Sequence, residues 1–188
     1  MPRTQREFLA AASKALDAID ERAKRLLDRL DAQAFNRTPP RGGWSPGQCL
    51  AHLTKAEAMY LKRMEASFTH ARGTNGQRDW ILTQPIRHNM FERWFIWILE
   101  PPARIKLPAP RVIHADGEWL DPVATSTAYF DMHNTIRDFL TRAHDIDIRR
   151  ERMISPFASQ LHLSIAAAID IMMAHERRHL WQAERAAC

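Results

Sequence analysis

His175 and His179 stand four residues apart in the string His175-Glu176-Arg177-Arg178-His179, near the end of a 188-residue chain. Residues at this spacing are neighbours on a helix, so both imidazoles can reach one metal ion. They also continue a stripe of Ile165, Ala168, Met172, His175, His179, Gln182 and Ala186, at alternating spacings of three and four. Such a stripe is the inner seam of a packed helix. The two histidines take seam positions that the first half of the segment gives to apolar side chains. A lone histidine there is usually a hydrogen-bonded core residue, and the pair leaves metal coordination and plain core packing as alternatives. The string also matches H-E-x-x-H, in which the glutamate of a zinc protease acts as general base. The longer protease pattern needs glycine at 182 and histidine at 185, where this chain has Gln182 and Arg185. Glu176 lies about 100° round the helix from His175 and is expected to face solvent.

Two ligands are too few, because catalytic zinc takes three from the protein and keeps a position for water. His52 stands in the first turns of another helical segment, flanking Leu50 and Leu53. His133 lies beside a Tyr129–Ile136 seam and is a weaker candidate. His70, His88, His114, His144 and His162 fall in or beside loops. Cys49 is a soft donor, but a small buried thiol is its more usual role.

The elements that must position these residues are four amphipathic segments. The first runs over about residues 4–33, with Phe8, Ala12, Ala15, Ile19, Ala23, Leu26 and Leu30 inward. It stops before the breakers Thr38-Pro39-Pro40-Arg41-Gly42-Gly43. The second opens on Ser45-Pro46-Gly47-Gln48, a capping box with proline at the first helical position, and carries Leu50, Leu53, Tyr60, Met64 and Phe68. Gly73 to Gly76 reads as a loop, Pro85 to Leu99 as containing a short helix, and Pro101, Pro102, Pro108 and Pro110 as an extended crossover. The third long helix starts at Asp121-Pro122, with Tyr129, Met132, Ile136, Phe139 and Ala143 inward. The fourth covers about Ser164 to Arg185. An all-α four-helix bundle with a long central crossover, in a single domain over residues 1–188, is the expected fold.

Apolar residues make up 45% of the chain, enough to bury a core. Six glycines are few for a sheet protein. Two cysteines, one in a helical pattern and one terminal, give no disulfide framework, so a reducing, cytoplasmic setting is expected. The charged N-terminus is no secretory signal. The strongest apolar run, Trp94 to Leu99, is far shorter than the ~20 residues of a membrane span. Net charge is +5, but the basic residues alternate with acids, and no helix-turn-helix, zinc-finger or RNA-binding pattern is present. Neither nucleic acid nor membrane is an expected partner. Of the six tryptophans, Trp80, Trp94, Trp97 and Trp119 fall between the long segments, where an apolar pocket, a dimer interface or plain core are the readings.

Trp44-Ser45-Pro46-Gly47-Gln48-Cys49-Leu50-Ala51-His52-Leu53, followed by Glu57 and Tyr60, resembles the W-S…H-L opening of the second helix in the DinB/YfiT-like superfamily of metal-dependent enzymes. His175 to Gln182 resembles its H-x-x-x-H-x-x-Q signature, and Arg104-Ile105-Lys106-Leu107-Pro108 and Leu120-Asp121-Pro122 resemble its crossover. The likeness covers nearly the whole chain in the family's order. It implies a four-helix bundle, a site of His52, His175 and His179 holding a divalent metal, Zn or Ni, and pairing as a homodimer. Characterised members use the metal to activate a low-molecular-weight thiol. The expected function is therefore a metal-dependent thiol S-transferase or related hydrolase acting on a small molecule. The alternative is a non-catalytic metal- or ligand-binding bundle protein. Gln182 is placed to hydrogen-bond a ligand histidine or the substrate.

Overall fold

A computed structural model describes residues 2–40, 42–71, 78–103, 105, 108–115 and 119–187, with side chains omitted for 69–71. The Gly73–Gly76 loop, Cys188, the His70 side chain and most of the Arg104–Pro108 segment lie outside these residues.

The described chain is mostly helical. Helix α1 (Gln5–Leu27) starts on a Thr4–Glu7 capping box. It ends six residues before the expected limit because Asp31 accepts from the Ala34 backbone N–H and caps a new short helix, α2 (Ala32–Asn36). Helix α3 (Pro46–Ala71) opens where the sequence indicated: the Gln48 backbone N–H donates to Ser45 Oγ at 3.1 Å, and the Ser45 N–H donates to Gln48 Oε1 at 3.0 Å. Gly47 matters for packing here. A Cβ at that position would sit 2.3 Å from a ring carbon of Phe35, so only glycine lets α2 lie against α3.

The crossover carries two short helices, α4 (Arg78–Thr83) and α5 (Met90–Leu99), then a 3₁₀ turn over Arg111–Ile113. Helix α6 (Pro122–Arg142) is capped by Asp121, and α7 (Ile165–Ala186) by Ser164. Between them a two-stranded antiparallel hairpin, β1 (Arg152–Ser155) and β2 (Ala158–Ser164), departs from the all-α expectation. Its strands bury Met153 and Leu163 on one face, but runs this short carry no decisive periodicity.

The long helices pack as α1 on α6 and α7, and α3 on α6 and α7. Helix α5 and the hairpin add further contacts to α7, while the hairpin also rests on α3. One large core results, from Phe8 and Leu16 through Leu53, Met64 and Phe139 to Met172 and Leu180. Helix α7 is consequently buried on nearly every face, with Ala167, Ile171, Ala174, Glu176, Leu180 and Ala183 enclosed as well as the seam residues. The four crossover-region tryptophans are not core: Trp80, Trp94, Trp97 and Trp119 are all exposed. Among the described residues no helix is long and apolar enough to cross a membrane.

Candidate metal centre

The structure brings His52, His175 and His179 together. One ring nitrogen of each lies within 4.8 Å of the others. Nε2 of His52 is 3.2 Å from Nε2 of His175, and His179 packs on both rings at centroid distances of 4.5 Å. The i, i+4 spacing on α7 supplies two of the rings, and the first turns of α3 supply the third.

The crossover orients the third ring. His52 Nδ1 lies 2.8 Å from the Ile113 carbonyl oxygen, which can only accept, so Nδ1 carries the proton and Nε2 presents its lone pair to His175. The turn that offers this carbonyl is itself tied down: Lys55 Nζ donates to the His114 carbonyl at 2.7 Å, and the His114 ring bonds the Ala109 carbonyl at 2.9 Å. Arg178, buried on α7, donates to the carbonyls of Ile98 and Ile105. Helix and crossover are stitched together on both sides of the histidines. Trp44 covers the cluster, 4.4 Å from His52 and stacked at 5.5 Å on His179.

All three imidazoles are held neutral. Desolvation lowers the pKa of His52, against the pull of the Ile113 carbonyl. Desolvation and then the neighbouring His52 lower that of His175. His179 falls well below the usual range through burial and then the other two rings, with neighbouring Gln182 pulling the other way. Its Nδ1 is buried with no hydrogen-bond partner. Neutral imidazoles with converging lone pairs and an orphaned ring nitrogen are the donor set a borderline divalent ion takes. The residues therefore fit such an ion. His175 is the partly open member, while His52 and His179 are buried.

One sequence expectation changes, and the open readings of His133 and Cys49 are decided. Glu176 does not face solvent: it is 0% exposed, because α5, α3 and α1 close over the side of α7 that a one-faced helix would leave open. His133 is not beside the histidine cluster. It sits in a separate core group, with Nδ1 bonded to Asp20 Oδ1 at 2.5 Å and Nε2 at 3.2 Å from Glu176 Oε1 and 3.7 Å from Glu57 Oε2. Cys49 is enclosed with Leu26 and Ala183, and burial pushes its thiol up to about 12, so it is an inert packing residue. The orienting carbonyl of Ile113 and the cover of Trp44 were invisible in the sequence as roles. Trp44 opens the segment that resembles the family's second helix, but only its contact with two rings gives it a role.

In the second group Tyr129 donates its hydroxyl to Glu176 Oε2 at 2.6 Å, and Arg137 donates to Asp20 Oδ2 at 2.5 Å. Burial and then the Glu176 carboxylate push Glu57 well above the carboxylate range, which favours its neutral form. Burial works against charge on His133, but Glu176 and Asp20 push it up to about 9. Burial likewise opposes charge on Glu176, yet His133 holds it below the ordinary range.

Helices around a cluster of neutral imidazoles, fastened by a crossover turn, define a helical protein equipped to hold a divalent metal. The family model of the DinB superfamily matches residues 15–183, and the chain belongs to that metal-binding superfamily. No curated protein and no solved structure gives a match to the chain.

Proposed function

We propose that this protein is a four-helix-bundle metalloenzyme whose ligands are His52, His175 and His179, and whose reaction transfers a low-molecular-weight thiol to an electrophilic carbon. The observation that carries the reading is the convergence of three neutral ring nitrogens, one fixed in tautomer by the Ile113 carbonyl. The pairwise packing of α1, α3, α6 and α7 supports the bundle description.

When bound there, Zn²⁺ or Ni²⁺ supplies a Lewis acid that favours the deprotonated form of a coordinated thiol or water. The chain's own residues do the rest. The three imidazoles add no charge, so the ion's full positive charge is available to an incoming anion. Ile113 holds the His52 ring in orientation. Trp44 shields His52 and His179, which leaves the partly open His175 side as the approach for substrate. A reducing cytoplasm would keep both the thiol substrate and the free Cys49 reduced.

Protein purified without a nickel column should lose about one equivalent of metal on His175→Ala or His52→Ala, with its helical circular dichroism retained. Wild-type protein should consume low-molecular-weight thiols in the presence of alkyl electrophiles, and both variants should not. Unchanged metal content in the two variants would overturn the ligand assignment. Metal held by the histidines without thiol consumption across such a panel would instead favour a non-catalytic metal-binding protein.

A further inference from the structure

The group centred on His133 has a geometry that the histidine cluster does not explain. Glu57, His133 and Glu176 come from α3, α6 and α7, and each is at most 1% exposed. One ligating atom of each lies within 4.8 Å of the other two. Of the separations from His133 Nε2 to the two carboxylates, 3.2 Å falls within the spacing of donors sharing one ion, about 3.0–3.5 Å for bonds of roughly 2.1 Å, and 3.7 Å lies just beyond it.

The donors are also left over. Neither oxygen of Glu57 receives a hydrogen bond, and neither do Glu176 Oε1 or His133 Nε2, whose mutual contact is poorly aligned. A buried carboxylate without partners costs several kcal/mol, so an empty arrangement of this kind needs either a proton or a cation between its members. The outer contacts are those of a metal site. Asp20 holds His133 Nδ1, which turns Nε2 inward toward the two glutamates, in the carboxylate–histidine pattern that commonly backs a ligand imidazole. Tyr129 fixes the remaining oxygen of Glu176, and Arg137 balances Asp20.

We infer that Glu57, His133 and Glu176 form a second, structural divalent-cation site that ties α3, α6 and α7 together inside the core. Asp20 extends the tie to α1 through His133. Two carboxylates and one imidazole suit Mn²⁺, Fe²⁺ or Zn²⁺ rather than a soft ion. The site is enclosed, so the ion enters as the chain folds and leaves only when it opens. The inference does not rest on the thiol-transfer reading.

The test is metal counting after refolding. Full-length chain is unfolded, stripped with chelator, refolded separately with Mn²⁺, Fe²⁺ or Zn²⁺, and freed of excess ion. Wild type should retain about two equivalents of at least one of these ions, Glu57→Gln about one, and His52→Ala/His179→Ala about one. Adding Glu57→Gln to the double variant should leave none. A folded double variant that retains no ion in any of the three refoldings overturns the inference. If the double variant does not fold, wild type decides: one equivalent unaffected by Glu57→Gln overturns it, and two equivalents support it. Metal lost through Glu57→Gln but not through the histidine substitutions would keep this site and remove the proposed active centre, so the two failures are distinguishable.

Discussion

Two polar clusters meet on adjacent residues of α7, and they are built on opposite principles. His175 and His179 join His52 in a group with no acid among its rings, oriented by a backbone carbonyl and partly open at His175. Glu176 joins Glu57, His133 and Asp20 in a group of three acids around one imidazole, oriented by side chains and closed to solvent. The first can release its protons cheaply and offers neutral donors to a ligand. The second must keep its charges balanced, because each loss of a partner leaves an uncompensated charge in the core. One helix face is thus suited to exchange with the outside, and the next to holding helices in place.

The comparison breaks first if the core group proves dispensable. Glu176→Ala should cost metal-free protein about 3–5 kcal/mol in urea unfolding, since it removes one of the two acids that balance buried His133 and leaves the Tyr129 hydroxyl without its acceptor. A loss below about 1 kcal/mol would mean that the group carries no structural weight. Tyr129→Phe removes a hydrogen bond to a charged acceptor and should cost about 1.5–3 kcal/mol by the same measurement. If the unfolding midpoint does not move, the Tyr129–Glu176 contact is not formed in solution.

The clusters should also titrate with opposite sign in metal-free protein. His52, His175 and His179 have folded pKa values below the unfolded value near 6.5. Their unfolded forms bind more protons in acid, so stability falls as pH drops below about 6.5, by up to about 1.4 kcal/mol per pH unit for each histidine. His133 is raised to about 9. Its contribution is full below about 6.5 and is lost as pH rises through about 9. Replacing His52 and His179 by alanine should flatten the acid limb only, and an unchanged acid limb would refute the neutral-imidazole description. The smallest effect sharpens the contrast. His175→Ala should change the stability of metal-free protein by less than about 1 kcal/mol, because that ring is partly open and uncharged. A large loss would make His175 a structural residue.

Local signals carried the histidine cluster into view. The four-residue spacing of His175 and His179 is a property of any helix, and the Ser45–Gln48 capping box fixed where α3 begins and therefore where His52 falls. His52 itself was joined to the pair through family likeness, since nothing local says which helices meet. The core group had no comparable signal. Asp20, Glu57, His133 and Glu176 come from four helices, and Asp20 sits in a run of charges that reads as a solvated face. Glu176 was misread because periodicity assumes one buried face, whereas α7 is surrounded by α1, α3 and α5. The hairpin escaped for a different reason: strands of four and seven residues are too short to separate alternation from chance.

Trp44 lies across His52 and His179 at ring-stacking distance. That makes its indole an optical gauge of the cluster beneath it. A paramagnetic ion such as Co²⁺ or Ni²⁺ held by those rings would quench its emission, while Zn²⁺, with filled d orbitals, would leave it bright. The four crossover-region tryptophans are exposed and would respond to solvent quenchers instead. Occupancy and choice of metal thus have a spectroscopic readout within the chain itself, without any added dye.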